Sequence, residues 1–350
     1  MAPEPSTSTK RNDAGAPAVL WHAEGRGRVR CDLCAHRCLV LPGRAGVCQV
    51  RVNRGGELLT LVSDRLIAAH PDPIEKKPLF HFLPGSRSFS VATMGCNFRC
   101  GFCQNWDISQ RVREGGEVIG QAASANEILE VAARAGCASL SYTYTEPTIF
   151  FELCERLGTA ARRAGLKNVF VTNGYLTKEA VTRASAFLDA ANVDLKGFDD
   201  ARYRRVCGAG LKGVLEGIDA LLAAGVWLEV TTLVVPGVND GEEELRRLAR
   251  HLAGLGGEVP WHVSRFHPDY KMRDREATPE AVIRRACEIG RDEGLRYVYA
   301  GNLPGAGLES TRCPNCGTMV VGRVGFRLTS LSLSRGRCGV CGSPVPGVWT

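Results

Sequence analysis

Eleven of the 15 cysteines fall into three groups whose spacing suits metal chemistry. Cys96, Cys100 and Cys103 form a CxxxCxxC on a glycine-containing loop, Gly95-Cys96-Asn97-Phe98-Arg99-Cys100-Gly101-Phe102-Cys103-Gln104-Asn105. Three thiolates can hold three irons of a four-iron cluster and leave the fourth without a protein ligand, open to a small molecule. Structural zinc takes four closed ligands, and the Asn and Gln side chains of this loop are poor substitutes for the missing one. The trio therefore points to an iron-sulfur cluster with one reactive corner.

The C-terminal group, Cys313-Pro314-Asn315-Cys316-Gly317 and Cys338-Gly339-Val340-Cys341-Gly342, consists of two CxxC knuckles. Each knuckle brings two thiolates to one metal while its glycine relaxes the turn, and two knuckles complete a tetrahedron. Zinc in a ribbon-like module is the expectation, although a rubredoxin-like single iron uses the same geometry. Cys31, Cys34, Cys38 and Cys48, with His36 among them, give CxxCxxxC and a fourth cysteine further on. Zinc with three or four thiolates and an accessory iron-sulfur cluster both fit this group, with a slight preference for zinc. Cys137, Cys154, Cys207 and Cys287 stand singly beside Ala, Leu or Val and read as small apolar core residues.

The elements that must position these groups follow from the middle of the chain. Short β-branched or apolar runs at 89–94, 140–144, 168–172, 191–195, 228–235, 263–266 and 297–300 alternate with helical periodicity at 125–135, 149–164, 177–187, 214–224, 242–253 and 279–293. The last helix has a start signal in Thr278 before Pro279 and Glu280. Such alternation means parallel strands joined by right-handed crossovers. Six or seven units suit a complete or partial barrel better than an open doubly wound sheet, and barrel chemistry sits at the C-terminal ends of the strands. The expected fold class is α/β, with a partial (β/α)6-type barrel over 88–302. A Cys-cluster module at 19–87 precedes it, and a zinc-ribbon-like module at 303–350 follows. Residues 1–18, rich in Pro, Ser, Thr and Ala, read as a disordered tail.

CxxxCxxC with an aromatic before the last cysteine resembles the radical S-adenosylmethionine (SAM) superfamily, and the likeness extends over nearly the whole chain. Asp72-Pro73-Ile74-Glu75-Lys76-Lys77-Pro78, Tyr144-Thr145-Glu146-Pro147, Asp194-Leu195-Lys196-Gly197 and Pro236-Gly237-Val238-Asn239-Asp240 complete the pattern. Together they are similar to one branch, the radical SAM member of the AmmeMemoRadiSam system, itself similar to pyruvate formate-lyase activating enzymes. The resemblance implies a 4Fe-4S cluster on the trio, with SAM chelating the unique iron through its amino and carboxylate groups. It further implies reductive cleavage of SAM to a 5′-deoxyadenosyl radical that takes hydrogen from a substrate. The substrate is then expected to be a protein if the kinship to glycyl-radical activation holds, and the electron donor a flavodoxin or ferredoxin.

The same resemblance assigns a SAM site. Glu146 meets the SAM amino group, with Tyr144-Thr145 standing where relatives often carry Gly-Gly. Thr172 and Asn173 end the third strand, Lys196 meets the SAM carboxylate with Asp194 close by, and His267 falls where relatives place a histidine near SAM. Val171 replaces an aspartate usual in those relatives, which puts their cation site in doubt. From the residues alone, Glu146 could be a helix cap, Asp194 and Lys196 a rim salt bridge, and His267 a loop histidine. His262 lies at an odd offset from His267 and is the weaker candidate, while Tyr299 and Asn302 are expected near the pocket. The segment 72–78 would ordinarily be a solvated loop, and the resemblance instead places it over the active site. Glu229 and Arg265, charged within strands, are expected to pair with each other. Gly208-Ala209-Gly210-Leu211-Lys212-Gly213 matches a dinucleotide fingerprint but follows no apolar strand, and is set aside.

Composition leaves one rival, a multi-zinc scaffold that binds nucleic acid or protein, because the net charge is +7. Against it, Lys and Arg are interspersed with acids, the basic run at 202–205 is short, and neither flanking module offers an aromatic platform. No apolar stretch reaches the roughly 18–20 residues that cross a bilayer, so no membrane partner is expected. The first 17 residues lack the apolar core of a secretory signal, and a cytoplasmic, reducing setting is expected.

Overall fold

The computed structural model describes residues 15–303 and 305–350. Its centre is one eight-stranded sheet. Seven strands run parallel in chain order: Arg87–Ala92, Cys137–Tyr142, Lys167–Thr172, Ala190–Asp194, Trp227–Val234, Trp261–Arg265 and Val298–Gly301. Each coincides with one of the apolar runs. An eighth strand, Ala68–Pro73, pairs antiparallel with the first. The two end strands do not pair with each other, so the barrel is an open arc.

The parallel strands are buried on both faces, which is why they read as apolar runs rather than as an alternation. Their crossover helices show the opposite pattern: Phe151–Arg163 buries Leu153, Cys154, Leu157 and Ala161 while its charged residues face outward. Local caps set several starts. Ser124 and Glu127 form a reciprocal capping box for Ala125–Arg134, and Thr177 caps Lys178–Ala184. Thr278 does not cap its helix as expected. Its hydroxyl donates to the Val234 carbonyl at 2.6 Å, tying two strand ends together, and Pro279 occupies the cap position. The four single cysteines are all buried in the core, as their apolar neighbours imply.

Two small antiparallel sheets make up the N-terminal module. One orders Ala16–Pro17, Glu57–Thr60 and Arg51–Arg54; the other orders Trp21–Ala23, Val29–Cys31 and Leu39–Val40. The expected tail at 1–18 is therefore too long. Residues 1–14 lie outside the described residues, but Ala16–Pro17 pairs with Leu59 and Thr60, and Ala18 is buried. Arg51, itself buried, joins this module to the barrel through a 2.9 Å ion pair with Glu152. The C-terminal module is a three-stranded sheet of Thr311–Arg312, Met319–Val324 and Arg327–Leu331. It docks on the segment that follows Ala68–Pro73: Phe82 bridges Val348, and His81 Nδ1 donates to the Pro346 carbonyl at 2.7 Å.

Candidate active site

The parallel strands all end at one mouth, and the side chains there enclose a cavity of about 410 Å³. Cys96, Cys100 and Cys103 line it from the loop after the first strand. Thr143 and Glu146 follow the second strand, Thr172 and Asn173 end the third, Asp194 and Lys196 the fourth, and Gly301 and Asn302 the seventh. All sequence-assigned SAM residues except His267 share this one cavity. His267 is exposed and meets Gln104 at 3.0 Å through Nδ1, so it stands at the rim beside the cysteine loop.

The trio loop is held from several sides. Ser109, in the short helix Trp106–Ser109, lies 3.1 Å from Cys103 Sγ, and Gln110 donates to the Phe98 carbonyl at 3.2 Å. The Phe98 backbone N–H points at Cys96 Sγ at 3.3 Å, a contact suited to a thiolate. A hydrogen bond with Cys207, together with burial, pushes the Cys100 thiol up. Cys207 itself is absent from the cavity wall. Burial likewise raises Cys96 and Cys103. No three of these sulfurs lie within 4.8 Å of one another among the described residues, a spread too wide for one tetrahedral ion. The donor set fits a larger inorganic group held at three corners.

Glu146 is fully buried; it caps a turn and also lines the cavity. Its carboxylate accepts from the Thr148 N–H at 3.0 Å, capping the turn Pro147–Phe150, and from Thr172 Oγ1 at 2.7 Å and the Asn173 N–H at 2.8 Å. Burial raises its pKa and these donors hold it partway back. Only Asn173 reaches one of the two oxygens, which leaves lone-pair capacity beside the cavity. Lys196 Nζ meets Asp194 Oδ2 at 2.9 Å, so the rim salt bridge and the cavity lining are the same pair.

The segment 72–78 is not a solvated loop. Asp72 and Lys77 are buried and joined at 2.7 Å, and Tyr144 donates to the same Asp72 oxygen at 2.6 Å. Burial pulls the Lys77 ammonium down to about 8 against the pull of Asp72. Glu75, Lys76, Lys77 and Pro78 all line the cavity.

Three expectations need correction. Glu229 does not pair with Arg265: it is clamped by the Phe80 and His81 backbone N–H groups at 2.9 and 2.7 Å and by His262 Nε2 at 2.7 Å. Arg265 instead donates to the Thr278 carbonyl at 2.6 Å. In the parallel register Arg265 stands opposite Val234, five positions beyond Glu229, so the two charges stand too far apart along the strands. His262, ranked below His267, is the histidine that lines the cavity. Tyr299 turns away from it and bonds to His81 and Thr311, whereas Asn302 does face it. Phe326, an exposed residue on the C-terminal hairpin, also reaches the cavity lip, which no local sequence pattern announced. The set-aside glycine run behaves as expected: Gly208 ends the helix Asp200–Cys207 in a left-handed conformation and Gly210 precedes Leu211–Ala223.

Residues 90–249 match the family described as Radical SAM superfamily. A protein of Methanocaldococcus jannaschii, MJ0808, described as uncharacterized, is 42% identical over 331 residues, covering 94% of this chain and 98% of its own. The chain belongs to the radical SAM superfamily. It is an enzyme of radical SAM chemistry and is similar to activating enzymes: the pyruvate formate-lyase-activating enzyme of Clostridium pasteurianum is 26% identical over 220 residues, covering 55% of this chain and 85% of the relative. A radical SAM methyltransferase from Sphaerobacter thermophilus, 18% identical, superposes with a TM-score of 0.50 over 63% of this chain and 67% of its own, a likeness of fold. The family uses a 4Fe-4S cluster and SAM, and in this chain Cys96, Cys100 and Cys103 line the cavity at the strand ends.

At the C-terminal module Cys313 Sγ lies 3.5 Å from Cys341 Sγ and Cys316 Sγ 3.7 Å from Cys338 Sγ, all four within 4.8 Å of one another. A tetrahedral zinc site with Zn–S near 2.3 Å has sulfur-sulfur edges of roughly 3.8 Å. This site can bind one metal ion. Hydrogen bonds from the Ser343 side chain and backbone draw the Cys341 thiol down to about 5, readying it as a ligand. No helix among the described residues is long and apolar enough to cross a membrane.

Proposed function

We propose that this chain binds a 4Fe-4S cluster through Cys96, Cys100 and Cys103 and cleaves SAM reductively, and that a polypeptide segment supplies the abstracted hydrogen. The carrying observation is that the three thiols share one cavity with Glu146, Asn173, Asp194 and Lys196. When bound, the cluster supplies the electron that converts SAM into methionine and a 5′-deoxyadenosyl radical.

The residues of the chain then have separate tasks. Glu146, fixed by Thr148, Thr172 and Asn173, offers a carboxylate oxygen to an ammonium. Lys196, aligned by Asp194, offers its ammonium to a carboxylate. His262 and Asn302 border the cavity further along the sheet. Asp72, Lys77 and Tyr144 close it from the antiparallel edge and exclude water.

A polypeptide substrate is supported by the similarity to the pyruvate formate-lyase-activating enzyme and by the exposed Phe326 at the cavity lip. The C-terminal quartet is proposed to hold structural zinc, and a flavodoxin or ferredoxin to deliver the electron. The test is anaerobic protein given dithionite and SAM, with 5′-deoxyadenosine and methionine measured together. Wild-type protein should release both. If the Cys96→Ala, Cys100→Ala, Cys103→Ala variant released as much, the reading would be wrong. Deuterium transfer into 5′-deoxyadenosine from labelled protein fractions, and none from labelled small molecules, would support a polypeptide substrate.

A further inference from the structure

The N-terminal quartet lies outside the proposed SAM site, and the structure decides what its spacing left open. Cys31, Cys34, Cys38 and Cys48 line a second, separate cavity, walled by Leu33, Val40, Val47 and Ile149. It holds about 20 Å³ against about 410 Å³ in the main cavity, too little for a nucleoside. Cys31, Cys34 and Cys48 are buried and none of the four is in a disulfide. Yet no three of the four sulfurs lie within 4.8 Å of one another among the described residues, whereas the C-terminal quartet satisfies that limit completely. Four thiols aimed at one void and held wider than a zinc tetrahedron match a cubane, in which sulfide and iron fill the space between them.

The wall carries two orphan donors. Arg51 Nε and Asn97 Nδ2 are buried without a hydrogen-bond partner, and both residues line this cavity. A buried N–H left unpaired is costly, and the sulfides of a cluster accept such bonds. The Arg51 charge also opposes the negative charge of four thiolates, and the Val47 N–H already points at Cys38 Sγ at 3.5 Å.

We infer that Cys31, Cys34, Cys38 and Cys48 hold a second 4Fe-4S cluster, closed by four thiolates and set against the SAM cavity. Its neighbour is close because the modules interlock. Asn97 follows Cys96 and accepts from Asn173 at 2.7 Å, while His36 bonds the Asn97 carbonyl at 2.9 Å. Gly95, at φ +98°, sits where a Cβ would lie 2.8 Å from Val50 Cγ1 and 3.3 Å from the Cys48 carbonyl.

Metal analysis of anaerobically reconstituted full chain tests this, with iron, zinc and sulfide counted together. The expected content is about eight irons and one zinc per chain. About four irons and two zincs would overturn the inference. The Cys96→Ala, Cys100→Ala, Cys103→Ala variant should keep about four irons whose reduced paramagnetic resonance does not respond to SAM. A second zinc in place of those irons would again overturn it. The inference adds to the proposed SAM chemistry and fails separately from it: that chemistry fails if the triple substitution removes no iron, this inference if zinc fills the N-terminal quartet.

Discussion

In the C-terminal quartet the paired sulfurs stand 3.5 and 3.7 Å apart, and Cys316 and Cys341 face solvent. In the N-terminal quartet no three sulfurs come that near, and three of the four cysteines are buried around a void beside the trio loop. Both groups have four cysteines and both lie in small antiparallel modules. The difference lies in what positions the thiols. Each C-terminal CxxC is one tight turn, and the short antiparallel sheet between the two turns lays them side by side, so that both close contacts run from one knuckle to the other. At the N-terminal end the thiols come from separate turns of the 31–48 loop, docked against the barrel through the Cys34 and Leu176 bridge and the His36 bond to Asn97. Two turns paired by a short hairpin make a closed ion site; docking against the barrel surrounds a void.

The strongest way to break this contrast is at the trio. Replacing Cys96, Cys100 and Cys103 with Ala should abolish SAM cleavage without removing the zinc proposed for the C-terminal knuckles, as read by product assay and metal analysis. Zinc loss there would mean that the sites are not independent. Cys313→Ala should release that zinc and cost on the order of several kcal/mol in denaturant titration, with the iron-sulfur absorption unchanged. Collapse of that absorption would make the tail a contributor of cluster ligands.

Acid offers a subtler separation of the same two regions. His81 holds the C-terminal module: its Nδ1–H faces the Pro346 carbonyl, so its Nε2 must accept from Tyr299. Burial drags its pKa from 6.5 to about 4. The unfolded chain therefore binds this proton first as pH falls. The stability it confers is complete above pH 6.5 and is lost between 6.5 and about 4. That loss amounts to about 3 kcal/mol. Urea titrations at several pH values should show it, and His81→Gln should flatten the slope; an equal slope in both proteins would remove His81 as the cause.

Smaller effects are expected at the cavity itself. Lys196→Met should weaken SAM binding about tenfold, or about 1.4 kcal/mol, with the iron content kept. An unchanged affinity would reduce the Asp194 pair to a structural bridge. Phe326→Ala should leave SAM affinity untouched and raise KM for a polypeptide substrate a few-fold, roughly 1 kcal/mol. A rise in the SAM dissociation constant instead would place Phe326 against the cofactor.

The seven parallel strands were legible because burial on both faces leaves an apolar run between amphipathic helices, and the trio because three thiols at that spacing have few other uses. The placement of Glu146, Asn173, Asp194 and Lys196 around one mouth follows from the barrel rule once strand ends are known. His262 was undervalued because an odd offset along a regular strand fixes its face relative to His267, yet His267 lies beyond the end of Trp261–Arg265. Glu229 was misassigned because its main partners are backbone N–H groups of Phe80 and His81, 148 or more positions away.

Local spacing by itself determined the three cysteine sets and the strand-helix alternation, since each depends on residues within one turn or one element. Only the tertiary structure decided which histidine faces the cavity, that Phe326 stands at its lip, and that the N-terminal thiols surround a void instead of a point. Those outcomes are fixed by how distant segments dock, and a pattern read along the chain holds no distance between segments that meet only after folding.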